Sequence, residues 1–368
     1  MNRLTSVDRL IHLALLILAF VCSSPAPAKS LQEALDAVRD RALTNLSLQV
    51  PGLSAAAGRD GKIVWSAGFG FADLEAKKPV TSNTLFRIGS VSKPLTAAGL
   101  MLLVEQSSLD LDADIHKYLP GFPEKGHVIT ARQLAGHLAG IRHYRGAEFL
   151  LNKPFSSVRE SLKIFENDPL LFEPGEKYSY SSYGYNLLSA VMESAAKEEF
   201  LPYMEKAVFR PLKMAATLPD HARSELPERT KFYATKPGGG FEIAPAVDNS
   251  YKWAGGGFLS TPEDLVRFGL ALMKPGFLKR ESLATLFKSQ STSDGKPIGY
   301  GIGWNVRVDH GHRIMMHTGG SIGGTSVLML FPDSGTVLAM TANCTSSPFD
   351  KTNLDAVIAE FSASFARP

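Results

Sequence analysis

Between Leu95 and Val104 every position is apolar except Thr96 and Gly99. That pattern predicts a helix buried on nearly all sides, not along one stripe. Pro94 has no N–H and fits only a first turn, so the helix begins close to Ser90. Upstream, Leu31, Leu35, Val38, Ala42 and Leu46 keep helical spacing among mixed charges and predict an amphipathic helix. Residues 52–57 and 62–68 are two further runs separated by Gly58-Arg59-Asp60-Gly61. Their Asp-Gly pair predicts a β-hairpin.

The pattern changes over residues 111–294, where helical spacing, prolines and loops dominate. A short helix is predicted from Thr130 to near Gly140, and another from Tyr185 to Ala196. Thr261-Pro262-Glu263-Asp264 reads as a helix start, with Thr261 as N-cap and Pro262 in the first helical position. From about residue 298 the period returns to two. Gly299–Trp304, Arg313–His317, Ser326–Leu330 and Val337–Met340 are strand candidates, and Leu354–Phe365 reads as a terminal helix. This order predicts an α/β (α+β) fold. An antiparallel sheet is built from both chain ends, 29–110 and 295–368, and flanked by helices, with a mainly helical insertion over 111–294.

The 368 residues are 44% hydrophobic, enough for a large core. Lys and Arg total 39 against 36 Asp and Glu, and no basic cluster is interleaved with aromatics. The charge pattern therefore argues against a nucleic-acid partner. At the N-terminus, Arg3 and Arg9 flank an apolar run, Leu10 to Cys22, that is short for a membrane span, and Ala26-Pro27-Ala28 has the form of a cleavage site. Residues 1–28 are expected to be a cleavable secretory signal, giving a periplasmic or secreted protein with no membrane span; a retained anchor is the alternative. Loss of Cys22 with the signal would leave Cys344 alone, as a buried small residue. The sequence carries no signal for oligomerisation.

Ser90-Val91-Ser92-Lys93 is the strongest candidate for chemistry. A serine becomes a useful nucleophile when a base takes its proton, and a lysine is such a base when burial or a nearby cation lowers its pKa. Residues three apart share a helix face, so Lys93 can reach Ser90. The same S-x-x-K spacing occurs at Ser194/Lys197 and Ser293/Lys296, but only Ser90/Lys93 opens a long apolar helix. Gly319-Gly320-Ser321-Ile322-Gly323 matches G-x-S-x-G, yet no histidine follows His317, so the α/β-hydrolase order cannot form. Gly68-Phe69-Gly70 lacks the third glycine of a dinucleotide fingerprint, H-E-x-x-H is absent, and His310-Gly311-His312 reads as a turn. No metal and no cofactor are expected.

Two further stretches suit chemistry at Ser90. A tyrosine from Tyr178–Asn186 could share the base role and protonate the leaving group. The glycines of His317-Thr318-Gly319-Gly320 could lay a backbone edge beside a substrate and, with the Ser90 N–H, form an oxyanion hole.

Taken in order, S-x-x-K, Tyr-Ser-x and His-Thr-Gly resemble the penicillin-binding and class C β-lactamase superfamily over nearly all of the chain after residue 28. His137-Leu138-Ala139-Gly140-Ile141, Glu173-Pro174-Gly175 and Tyr180–Leu188 match that family's style. Ile141–Tyr144, Glu166–Leu170 and Val247–Thr261 are similar to its serine β-lactamase-like subgroup of animal mitochondria. The resemblance implies that Ser90 is acylated, that Lys93 is its base partner and that Tyr180 assists proton transfer. It further implies that the N–H groups of Ser90 and Gly320 hold the oxyanion, and that Thr318 and Gly319 line the substrate edge. Ser182 stands where the family often has Asn, and His317 where it often has Lys. Both departures, at positions that would bind substrate, favour peptidases or esterases over antibiotic hydrolysis. The expected function is a serine hydrolase, peptidase first, acting on a peptide or small-molecule amide or ester. Esterase, D,D-carboxypeptidase and weak β-lactamase are alternatives, and a silent peptide-sensing or scaffold module is the rival outside catalysis. A pocket-facing His317 would be expected to read a substrate carboxylate through a charge that titrates near pH ~6.5.

Overall fold

The computed structural model describes residues 49–345 except 310, together with 30, 32, 33, 36, 37, 40, 355, 356 and 359. The expected signal, 1–28, lies outside the described residues. So does most of the expected helices 31–46 and 354–365, although residues 32, 33, 36, 37, 40, 355, 356 and 359 are helical.

Seven strands make one sheet: Gly52–Arg59 (β1), Lys62–Asp73 (β2), Lys78–Pro79 (β3), Asn305–Asp309 (β4), His312–Ser321 (β5), Gly324–Phe331 (β6) and Thr336–Ala342 (β7). Their spatial order is β3-β2-β1-β7-β6-β5-β4, and every pairing is antiparallel. The sheet is thus built from both chain ends, joined where Leu53 of β1 faces Ala342 of β7. Asp60 and Gly61 turn the β1–β2 hairpin with φ of +53° and +81°, as a two-residue hairpin requires. One expectation is corrected. Residues 299–304 do not extend as a strand; β4 begins at Asn305. Gly299 and Gly303 have φ of +68° and +79°, and a side chain at Gly301 would overlap the Leu286 carbonyl.

The apolar runs of β6 and β7 are continuous because both faces of the sheet are covered. Leu328, Leu330, Val337 and Ala339 join one core with Phe268 and Trp304. Their neighbours Val327, Met329, Leu338 and Met340 join a second core with Cys344. That division follows the period of two.

Ser92–Glu105 (α1) buries all but three of its residues, as its all-round apolarity requires. It packs among Ser182–Ala196 (α2) and Trp253–Gly256 (α3). Pro262–Ala271 (α4) covers β1 and β7, and Thr261 caps it by accepting from the Asp264 N–H at 3.2 Å. The helix begun by Thr130 stops at Ala135, short of Gly140, because His137 turns to φ +62°.

The Ile88–Ser90 segment is clamped between sheet and helices. Ile88 N–H donates to Phe258 C=O at 3.1 Å, and Ser326 Oγ donates to Ile88 C=O at 2.6 Å. Gly89 takes φ +47°, and a Cβ there would sit 2.6 Å from the Gly320 carbonyl. A Cβ on Gly319 would overlap the Ile88 carbonyl, whereas one on Gly320 would meet nothing within 4 Å. Overpacking costs about 1–3 kcal/mol, so calorimetry should show a clearly lowered Tm for Gly319→Ala. Gly320→Ala should stay within about 0.5 kcal/mol of wild type. Equal Tm values for the two variants would contradict this packing.

Candidate active site

Ser90 lies in the 3₁₀ turn Gly89–Val91 that leads directly into α1. Lys93, one turn on, points back towards it. Its Nζ donates to Ser90 Oγ at 3.1 Å, to Ser182 Oγ at 3.1 Å and to the Gly255 carbonyl at 2.6 Å. The side chain is wholly buried. Burial first, then the positive charge of Lys252, pulls its pKa well below that of an ordinary lysine. Ser194, Lys197, Ser293 and Lys296 are all exposed. Burial separates the three S-x-x-K pairs where spacing does not.

Tyr180, Ser181 and Ser182 form the approach to α2. Ser181 is its N-cap: Oγ accepts from Gly184 N–H at 2.9 Å and donates to Arg142 C=O at 2.7 Å. That cap starts the helix at Ser182, three residues before the expected Tyr185. Two histidines brace the approach. Ser181 N–H donates to His137 Nδ1 and Ser182 N–H to His143 Nδ1, each at 3.1 Å. A ring nitrogen that accepts must lack a proton, so these bonds require neutral rings. Burial, and then the nearby Lys93, supplies that neutrality: both pKa values fall, that of His143 to about 4.

The Tyr180 ring centroid lies 4.8 Å from Lys93 Nζ and 4.3 Å from the His137 ring. Burial raises the phenol above the ordinary tyrosine range, while hydrogen bonds with Ser90 and Ser182 act the other way. Tyr180 is therefore a neutral phenol at pH 7. Tyr178, two residues earlier in this stretch, is 40% exposed.

On β5 the alternation of side chains decides what faces the site. Thr318 and Gly320 are exposed, whereas His317, Gly319 and Ser321 are buried. His317 Nε2 lies 2.9 Å from Tyr300 Oη, and Nδ1 lies 2.6 Å from its neighbour's carbonyl at Thr318. The carbonyl cannot donate, so Nδ1 carries the proton and Nε2 accepts from the phenol. Burial and then Lys93 lower the His317 pKa to about 3. The expected carboxylate reader is thus corrected. His317 is neutral at any ordinary pH, and its ring packs 6.3 Å from that of Tyr180 with both nitrogens engaged.

A cavity of about 290 Å³ opens over Ser90, lined also by His143, Tyr180, Ser182, Lys252 and Gly320. A larger depression of about 1020 Å³, near Arg223 and Pro245, contains none of Ser90, Lys93, Tyr180 and His317. The cavity wall includes a residue to which the sequence reading gave no role. Lys252 is buried, with Nζ 4.4 Å from the Phe149 ring centroid. Burial, then Arg87, lowers its pKa to about 7. The available signal was a lysine set in the aromatic run Tyr251-Lys252-Trp253, just ahead of three glycines. Among the described residues no group of three or more His, Cys, Asp or Glu could hold a metal ion. The site unites a serine, a dehydrated amine, a phenol and a glycine backbone edge, which are the parts of acyl transfer.

Residues 30–363 match the Beta-lactamase family. The mitochondrial serine beta-lactamase-like protein LACTB of Mus musculus is 31% identical, over 84% of this chain and 75% of its own. Penicillin-binding protein 4* of Bacillus subtilis (strain 168) is 30% identical over 78% of this chain and 67% of its own. Among solved structures, a D-stereospecific amidohydrolase from Streptomyces sp. superposes with a TM-score of 0.75 at 26% identity, covering 88% of this chain and 98% of that one.

The neutral histidines carry a pH signature. In an unfolded chain they titrate near pH ~6.5, but His143 and His317 in the fold titrate at about 4 and about 3. Between those limits the unfolded chain binds more protons, so stability falls as pH drops. The contribution is fully present only above the unfolded value. Tm should therefore decline from pH ~6.5 to pH ~4, and His143→Gln, whose amide can accept the Ser182 N–H without titrating, should shrink the decline. A flat Tm over this window, or an unchanged decline in the variant, would refute the assignment.

Proposed function

From the premise that the chain belongs to the Beta-lactamase family of serine hydrolases, we propose that Ser90 is the nucleophile of a peptidase working through an acyl-enzyme. The observation that carries this reading is the buried Lys93 amine, hydrogen-bonded to Ser90 Oγ at 3.1 Å. Dehydration favours the neutral amine, which can take the Ser90 proton as Oγ attacks the carbonyl carbon. The oxygen of the tetrahedral intermediate is received by the N–H groups of Ser90 and Gly320, whose segments touch through Gly89. Tyr180, a phenol that lines the cavity with Ser90 and Ser182, hands a proton to the leaving nitrogen. Ser182 Oγ links it to Lys93, which completes the return of the serine's proton. Water then repeats the sequence on the acyl-enzyme, with oxygen in place of nitrogen.

Thr318, Gly319 and Gly320 supply the edge along which an extended substrate lies. The names of the relatives, a penicillin-binding protein and a D-stereospecific amidohydrolase, favour an amide over an ester. Ser182 offers a hydroxyl to Lys93 but no amide to a substrate, which favours a peptidase over antibiotic hydrolysis. We assign residues 29–110 and 295–368 to a sheet lobe and 111–294 to a mainly helical one. No helix among the described residues is long and apolar enough to cross a membrane. Export to the periplasm or medium through residues 1–28 fits their pattern, and a secreted chain should begin at Lys29.

A fluorophosphonate should label Ser90 and no other serine, and Ser90→Ala should lower kcat by roughly 10⁴-fold or more. Stable labelling of Ser194, Ser293 or Ser321 instead would sink the proposal. Lys93→Met and Tyr180→Phe should each slow acylation with strongly non-additive effects, because they serve one proton path. Additive losses in single-turnover kinetics would separate the two residues.

A further inference from the structure

The depression of about 1020 Å³ near Arg223 and Pro245 takes no part in the chemistry at Ser90. Two stretches of chain nevertheless run to it from the cavity over Ser90. Ser321, at the end of β5, lines that cavity. The next residue, Ile322, accepts from Arg87 Nη1 at 2.7 Å, and a Cβ on Gly323 would lie 2.2 Å from that of Phe232. Arg87 and Phe232 both line the depression. On the second route Phe149 lines the cavity and packs against the cluster of Ala244, Val247 and Ile322. Ala244 and Val247 again line the depression. Arg87 precedes Ser90 by three residues, so at most about 11 Å of extended chain separates them. A polypeptide lying along the β5 edge therefore reaches the depression about three residues from the bond that meets Ser90.

The walls of the depression are cationic. Arg87, Arg223, Arg229 and Lys231 line it, against Glu225 and Asp248. Asp248 is buried, and its carboxylate accepts from the Ser250 N–H at 2.9 Å and from Ser250 Oγ. Arg87 and Arg229 face Asp220, at 2.6 and 3.7 Å. Arg223 and Lys231 are exposed and have no ion-pair partner among the described residues.

Apolar surface lies among these charges. The Arg87 guanidinium sits 3.8 Å from the Phe232 ring centroid. Ile243, Pro245 and Ala246 line the depression and are exposed, Ile243 by 65%. An exposed apolar stretch rimmed by charge marks a contact surface, and unpaired cations beside it select an acidic partner.

We propose that this depression is an exosite for extended polypeptide substrates, taking an acidic and partly apolar stretch that lies three or more residues from the scissile amide. The proposal rests on the assignment of Ser90 only for where that amide sits. Arg223 and Lys231 meet the acidic side chains, and Ile243 and Pro245 meet the apolar ones. Substrates too short to leave the cavity over Ser90 gain nothing from it.

The test reads binding first. Four peptides are titrated calorimetrically into full-length Ser90→Ala. Two are N-acetyl-tetraalanine extended by Glu-Ile-Glu-Ile-Glu, one on its N-terminal and one on its C-terminal side, and the others are their glutamine isosteres. One acidic peptide should bind about tenfold more tightly than its isostere, and which one does so gives the direction in which substrates lie. At ~1 M salt, where the Debye length is ~3 Å, most of that preference should disappear. The double variant Arg223→Gln/Lys231→Gln should abolish it, and Arg223→Lys/Lys231→Arg should retain it. Both positions are exposed, so neither exchange disturbs the core. In the wild type, the preferred acidic peptide should slow fluorophosphonate labelling of Ser90 in step with its occupancy. Equal binding of acidic and neutral peptides, or a preference that survives the glutamine double variant, overturns the proposal. Binding without protection of Ser90 would make the depression an independent site and overturns it too. No labelling of Ser90 at all sinks the nucleophile assignment instead, and the binding comparison in Ser90→Ala still decides the exosite.

Discussion

The Lys93 nitrogen meets oxygen atoms from three segments far apart in the chain: Ser90 on its own turn, Ser182 at the start of α2 and Gly255 in α3. Holding an amine there without water is the constraint on which the site depends. A solvated lysine is an ammonium at neutral pH and cannot accept the serine's proton. The all-round burial of α1 removes the solvent, and Lys252 adds like charge. The hydrophobic core therefore acts on the chemistry directly, by setting which protonation state of Lys93 is stable.

The low dielectric that lowers the Lys93 pKa acts on every titratable group near it. His137, His143 and His317 are held neutral chiefly by burial. Two of them use that neutrality to accept backbone N–H groups from Ser181 and Ser182. The tyrosine-bearing approach to α2 is thus positioned by rings that can bond to it only while unprotonated. The electrostatics of the base and the placement of its partners are one arrangement.

Glycine supplies the second constraint. The nucleophile's turn and β5 approach backbone to backbone at Gly89, Gly319 and Gly320. Side chains at the first two would push the strand away and separate the Ser90 and Gly320 amides. The antiparallel closure of β1 on β7 gives this strand a rigid neighbour, so the separation is fixed by the sheet and not by a loop.

Much of this was legible along the chain. The hairpin at Asp60-Gly61, the Thr261 cap, the buried α1 and the strand runs of β5 to β7 all rest on local periodicity and turn chemistry, which a sequence displays directly. So did the pairing of Ser90 with Lys93, because three residues of helix fix that distance. The glycines of 299–304 were misread as a strand, since apolar alternation does not reveal positive φ or the carbonyl that crowds Gly301. The direction of His317 was misread for a related reason. Only the docked elements decide what meets each side chain, and here they set Tyr300 against the His317 ring. Lys252 carried no role in the sequence because its burial and its place in the cavity wall are set by distant segments. The sequence by itself determined the elements and the one-turn reach from base to nucleophile, which are local. Tertiary structure alone decided solvent exclusion, and with it which lysine beside the nucleophile has a lowered pKa and which histidines are neutral, because desolvation and charge coupling depend on everything packed around a group.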